Sequence, residues 1–233
     1  MSAIIYALTA NAGIAASKAA AAAYTGSASM LAEAVHSGAD CANQLLLLLG
    51  IRQAKRAPTP DHPLGFGKAT YFWSFMVALL LFSMGGAFSI YEGVHKLSSP
   101  EPVESPWIAI AVLGIGVVLE AWSLRGCILE IREKAGDMPL WRYFRDSRES
   151  ELIVVMGEDI AALAGLALAL LAVVLSMVTG NPMWDAIGSI AVGVLLVIVA
   201  IGVGIEVRAL LIGQSAEPAE RTAMEEWLKT RPE

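Results

Sequence analysis

Six apolar stretches alternate along the chain with short polar or turn-forming segments. A helix rises about 1.5 Å per residue, so roughly 20 mostly apolar residues cross the hydrocarbon of a bilayer. The pattern predicts helices over 4–24, 28–51, 71–94, 106–131, 152–179 and 185–212. The breaker Thr25-Gly26-Ser27 parts the first two, and Gly180-Asn181-Pro182 parts the last two. Pro106 suits a first helical turn, and Asp185 suits an N-cap. Beyond Gln214 the chain turns polar, with helical character over 219–229, and is too short there to build a domain. The expected fold is therefore all-α: a polytopic membrane protein with six transmembrane helices in residues 1–213 and a cytoplasmic tail over 214–233.

Composition agrees with that pattern. Of 233 residues 56% are hydrophobic and only 16% charged, where a soluble domain carries about a quarter charged residues. Most of the surface must face lipid. No basic patch with interleaved aromatics is present, which excludes nucleic acid as a partner. Cytoplasmic loops of membrane proteins are enriched in Lys and Arg. Here 13 of the 16 basic residues fall in the loops after the second and fourth helices or from Arg208, near the end of the sixth, onward. With an even number of spans, both termini are expected in the cytoplasm, in a membrane of the bacterial inner type. The first apolar segment lacks a basic leader and is expected to stay as a membrane helix. Cys41 and Cys127 lie in apolar stretches and are expected as buried thiols. Trp73, Trp107, Trp141 and Trp184 fall near the helix ends, where aromatic anchors sit. The Ala-rich run 19–23 fits a face that lets a neighbouring helix approach closely.

Against this apolar background the ionisable residues stand out, because each costs several kcal/mol in a bilayer and usually lines a site or pathway. The second helix carries Glu33, His36, Asp40 and Asn43. His36 and Asp40 are four apart and share a helical face, so an imidazole nitrogen and a carboxylate oxygen there can grip one ion of the size of Zn²⁺. The fifth helix adds Glu158 and Asp159. If the two helices pack together, His36, Asp40 and Asp159 meet, and Glu158, Asn43 or a water completes a tetrahedron. Structural readings stand beside this one. His36 and Asp40 can pair with each other or with Lys18; Asp159 can be an acid favoured by the dipole of a first helical turn; Glu33 and Glu158 can bond across helix interfaces. Asn11 and Lys18 read as structural, with Lys18 also able to keep nearby carboxylates ionised. In the loop after the second helix, Asp61 and His62 could form a surface metal site, or a rigid turn set by Pro63, Gly65 and Gly67. An imidazole in the set leans toward Zn²⁺ over the all-oxygen sites of Mg²⁺ or Mn²⁺. No resident cofactor is implied. Two other classes fit some of the same residues: a non-transporting metal sensor or membrane partner, and an intramembrane metallohydrolase with Glu158 as base. No nucleophile motif accompanies the second, so an enzyme is not expected.

The segment Gly26-Ser27 with Met30-Leu31-Ala32-Glu33-Ala34-Val35-His36-Ser37-Gly38-Ala39-Asp40 resembles the second helix of the cation diffusion facilitator family. So do Asn43-Gln44, His62-Pro63-Leu64-Gly65-Phe66-Gly67-Lys68 and Tyr71-Phe72-Trp73-Ser74. Asp185 with Gly188-Ser189-Ile190 resembles the start of that family's sixth helix, and 211–216 its end. The resemblance, covering about residues 8–218, implies a homodimeric transporter that exports Zn²⁺ or a similar divalent cation in exchange for protons. It also implies an ion held by two ligands from the second helix and two from the fifth. His36, Asp40 and Asp159 match three of these, while the first position on the fifth helix falls on Val155, which cannot bind a metal. The run 157–163, with Glu158-Asp159, is similar to the branch related to mitochondrial and nuclear-associated zinc transporters. Family members commonly carry a cytoplasmic domain after the sixth helix, and residues 214–233 would be its beginning.

Overall fold

The computed structural model of the chain describes residues 2–99, 103, 105–136, 138–139, 150–213, 215 and 218–231. Among these residues the elements are helical: α1 (Ser2–Thr25), α2 (Ala28–Ala54), α3 (Ala69–Ser98), α4 (Pro106–Ala135), α5 (Ser150–Thr179), α6 (Met183–Ile212) and the short α7 (Pro218–Lys229). Four of them, α3 to α6, are long and apolar enough to cross a membrane. At 24 and 27 residues, α1 and α2 also have the length, but Lys18, Glu33 and Asp40 make them more polar. The expected Trp141, Arg142, Arg145 and Arg148, and the residues 214, 216 and 217 at the tail junction, lie outside the described residues.

The junctions between α1 and α2 and between α5 and α6 fall where the sequence breaks. Gly26 adopts φ +62° between α1 and α2, a left-handed conformation in which glycine meets no Cβ penalty. Ser27 then caps α2, its side chain accepting from the Met30 amide at 3.2 Å. One expected cap is different. Asp185 lies inside the first turn of α6, and the start of that helix is bonded by Asn181, whose Oδ1 accepts from the Met183 amide at 3.0 Å. Asp185 instead turns its carboxylate onto the beginning of α2, where it accepts from Ser27 Oγ and the Ala28 amide, both at 2.6 Å. The helix N-terminus it satisfies is a neighbour's rather than its own, because free amides and positive dipole attract a carboxylate from any element close enough.

Small residues set how closely the helices pack. α3 lies against α6, and a Cβ on Gly93 would meet the Ala186 carbonyl at 2.8 Å, while one on Gly193 would meet the Gly86 carbonyl at 2.8 Å. Only glycine lets the two backbones approach so far. Midway along α3, Leu81–Ala87 forms a π-helical turn, which the apolar pattern does not announce. The main core joins Met30 and Ala32 of α2, Leu113 of α4, Leu166 and Val173 of α5, and Val192 and Leu196 of α6. On the outside, Trp107 and Trp122 of α4 are 70% and 78% exposed. Side chains that large and apolar, left uncovered on a hydrophobic helix, face lipid.

Candidate ion-binding site

The polar residues of α2 are arranged in levels along its length. Nearest its beginning is the Asp185 cluster, to which Lys96 of α3 adds an ion pair at 3.6 Å and a bond to the Gly26 carbonyl. At the second level Lys18 of α1, fully buried, donates to Ser37 Oγ at 2.7 Å and pairs with Glu33 Oε2 at 3.4 Å. Lys18 therefore bonds Glu33 and Ser37 directly, and not His36 or Asp40.

His36 and Asp40 form the third level. His36 is fully buried, and neither ring nitrogen has a hydrogen-bond partner among the described residues. Its Nε2 stands 3.6 Å from Asp40 Oδ2, too far for a hydrogen bond, and Asp40 Oδ1 is unpartnered as well. Buried polar atoms are nearly always bonded, so each exception asks for an explanation. Two donors held about 2.0–2.1 Å from one Zn²⁺ at the tetrahedral angle stand about 3.3 Å apart. The observed gap is close to that bite.

At the fourth level α5 joins. Asn43 Nδ2 donates to Glu158 Oε1 at 2.5 Å, and both residues are buried. Asp159 points the other way, toward α4, where Ser123 Oγ lies 3.4 and 3.5 Å from its two carboxylate oxygens. Asp159 is well inside α5, which begins at Ser150, so a first-turn acid is not its role. A cavity of about 560 Å³ opens between these helices, lined by Asp40 and Gln44 of α2, Glu120 and Ser123 of α4, and Val155, Glu158 and Asp159 of α5. Val155 thus faces the cavity from the position where a fourth donor was expected. Among the described residues no three His, Cys, Asp or Glu side chains converge closely enough to hold a metal ion in this arrangement. His36 and Asp40 are together, and the α5 carboxylates stand on the far wall.

Glu120 is a residue that the sequence reading passed over. It ends the unbroken apolar run 106–119 of α4, and a first carboxylate at the centre of a spanning helix is the signal that would have found it. In the loop after α2, Thr59 and His62 form an isolated antiparallel bridge, Gly65 takes φ +77°, and the His62 ring lies 4.6 Å from that of Phe66. That is a tight turn on the surface.

Residues 4–212 match the family described as the cation efflux transmembrane domain. The chain is 40% identical over 211 residues to the proton-coupled zinc antiporter SLC30A9, mitochondrial, of Xenopus laevis, an alignment covering 90% of this chain and 38% of that protein. The Homo sapiens protein of the same name is 37% identical over 211 residues, covering 90% and 37%. Metal tolerance protein C4 of Arabidopsis thaliana is 36% identical over 202 residues, covering 86% and 44%. The chain spans about two fifths of the length of these relatives.

Proposed function

The chain belongs to the cation efflux, or cation diffusion facilitator, family of integral membrane transport proteins, and on that premise we propose that it exchanges a divalent cation, Zn²⁺ foremost, for protons. The observation that carries this reading is His36, an imidazole sealed from water with both nitrogens unpartnered and a carboxylate 3.6 Å away. Leaving such a group unbonded costs about 1–3 kcal/mol, and an ion between His36 Nε2 and Asp40 removes that cost at the nitrogen it binds. Asp159 joins them as the donor from α5. Glu158, already held by Asn43, carries a proton beside the ion. Two similar proteins, the Xenopus laevis and Homo sapiens relatives, are proton-coupled zinc antiporters, which supports the same substrate pair.

The residues themselves couple the two substrates. An imidazole binds metal only when neutral and a carboxylate only when ionised, so loading the ion releases protons and a fall in pH releases the ion. In this reading all six long helices span the membrane, the basic-rich loops and both termini face the cytoplasm, and the working unit is a dimer whose protein mass within the detergent particle is twice 24.6 kDa.

The test is proton flux in liposomes holding the purified chain and a pH-sensitive dye. An imposed Zn²⁺ gradient should drive protons the opposite way, and His36→Ala, Asp40→Asn and Asp159→Asn should each abolish that flux while leaving the protein folded. Zn²⁺-driven flux that persists in His36→Ala would remove the imidazole from the site. No flux in the unaltered protein, with Zn²⁺ still bound, would favour a sensor.

A further inference from the structure

We propose that Glu120 of α4 is a direct ligand of the transported cation and supplies the carboxylate that α5 lacks at Val155. The inference rests on the reading of His36 and Asp40 as ion donors and adds a third helix to the site.

Its first support is placement. Glu120 lines the cavity together with Asp40, Glu158 and Asp159, and it also shares with Asp40, Ser37 and Asn11 a narrow crevice between α1, α2 and α4. Ser123, three residues on and therefore on the same helical face, is the residue that meets Asp159. One face of α4 thus presents Glu120 to Asp40 on one side and to Asp159 on the other, and the three carboxylates lie within electrostatic reach of one another.

The second support is what Glu120 lacks. It sits at the middle of a helix whose preceding 14 residues, 106–119, are apolar, and no hydrogen-bond donor among the described residues holds it. A carboxylate at that depth of a spanning helix is costly, and the like charges of Asp40 and Asp159 add to the cost while the Lys18 ammonium offsets part of it. A divalent cation removes both penalties at once. Independent of the carboxylates, His36 is fully buried with both ring nitrogens unpartnered and its Nε2 3.6 Å from Asp40 Oδ2, so an unsatisfied donor already stands beside the carboxylate that Glu120 faces. α4 packs on α1 and α5 and faces α2 across the cavity, so a cation drawing Asp40 and Glu120 together would close that space.

The experiment is titration of the purified full chain with Zn²⁺ in detergent against a fluorescent chelator, with thermal unfolding recorded for each variant. Glu120→Gln should weaken Zn²⁺ binding more than about tenfold, beyond the lower end of what losing an outer-shell partner does. Adding Val155→Asp, which places a carboxylate on the same cavity from α5, should recover most of that loss. Glu120→Asp keeps the charge and should fall between the two. If Glu120→Gln unfolds, the double variant and Glu120→Asp carry the test. Binding unchanged in Glu120→Gln while His36→Ala loses it would overturn the inference and leave the proposed site standing. Binding unchanged in both would overturn the proposed site itself. A loss in Glu120→Gln that Val155→Asp does not relieve would make Glu120 a structural residue and also refute the inference.

Discussion

Asp185→Ala removes a group that fastens three helices together at the N-terminal end of α2. Asp185 is fully buried and accepts from Ser27 Oγ at 2.6 Å, Ser29 Oγ at 2.5 Å, the Ala28 amide at 2.6 Å and the Ser29 amide at 3.4 Å, with Lys96 Nζ 3.6 Å away. Alanine leaves these donors without their acceptor. The two hydroxyls can rotate toward each other, since they already lie 3.1 Å apart, and the 3.4 Å amide contact is weak, so little is charged to them. Losing the bond from the Ala28 amide to a carboxylate costs about 1.5–3 kcal/mol. Separating one member of a buried ion pair costs about 3–5 kcal/mol, reduced here because Lys96 keeps its bond to the Gly26 carbonyl. Such losses do not add in full, and a total of about 3–5 kcal/mol is expected. For a chain of this length that is a fall of roughly 6–20 °C in the unfolding midpoint. Asp185→Asn should lose less, because its amide oxygen still accepts from one side while its NH₂ opposes a donor on the other. Thermal unfolding of the purified protein in detergent reads the difference. A midpoint for Asp185→Ala within about 2 °C of the unaltered protein would show that the contacts are incidental and the reasoning wrong.

Two further outcomes are expected. In a background with Cys41 and Cys127 replaced by serine, single cysteines at Gln53 and Ala135 should react with an impermeant thiol reagent from one side of the membrane and one at Ser99 only from the other; labelling of all three from one side would sink the six-span topology. Gly193→Ala should destabilise by about 1–3 kcal/mol, because its Cβ would meet backbone at 2.8 Å, whereas Gly202→Ala, with nothing within 4 Å, should be neutral; equal midpoints for the pair would refute the close α3–α6 packing.

The helices were legible because a bilayer imposes length and apolarity on each span, and observed ends lie within a few residues of those expected: α4 starts at Pro106 and α5 ends at Thr179, as the pattern indicates. The pairing of His36 with Asp40 was legible too, since spacing along one helix is local information. What sequence left open is which element a polar group serves. Asp185 looks like a cap for α6 and caps α2; Lys18 looks available to His36 and is taken by Glu33 and Ser37. Glu120 was missed for the same reason: in the sequence it is a lone charge in an apolar run, and only helix packing puts it across a cavity from Asp40. The π-helical turn at Leu81–Ala87 coincides with Gly85-Gly86, yet glycine pairs in membrane helices serve close packing as often as irregular backbone.

The levels of α2 also give the cavity a side. Its lining on α2 runs from Asp40 through Gln44, Leu47, Leu48 and Ile51, toward the end that carries the basic loop. Above His36 the helix is enclosed: Ala28, Ser29, Met30, Ala32, Glu33 and Ala34 are all buried. At the site proposed above, the larger opening therefore lies on the side of the basic loop. Toward the other side an ion would meet first the Lys18 ammonium, which repels it, and then the Asp185 cluster. An exchanger needs a second state open to that other side, separated from the first by only a few kcal/mol. Breaking both the Lys18–Glu33 pair and the Asp185 cluster would exceed such a gap, since each is a buried charged contact. The motion must leave one of them whole. The Asp185 cluster ties α2 to α3 and α6, and the Lys18–Glu33 pair ties α2 to α1. Between α2 and α4 lies the cavity, across which Glu120 and Asp40 face each other without a bond. For the exchange proposed above, the seam with least to break therefore runs along the α4 wall, and the polar contacts that cross from α2 are the Lys18–Glu33 pair to α1 and the Asn43–Glu158 bond to α5.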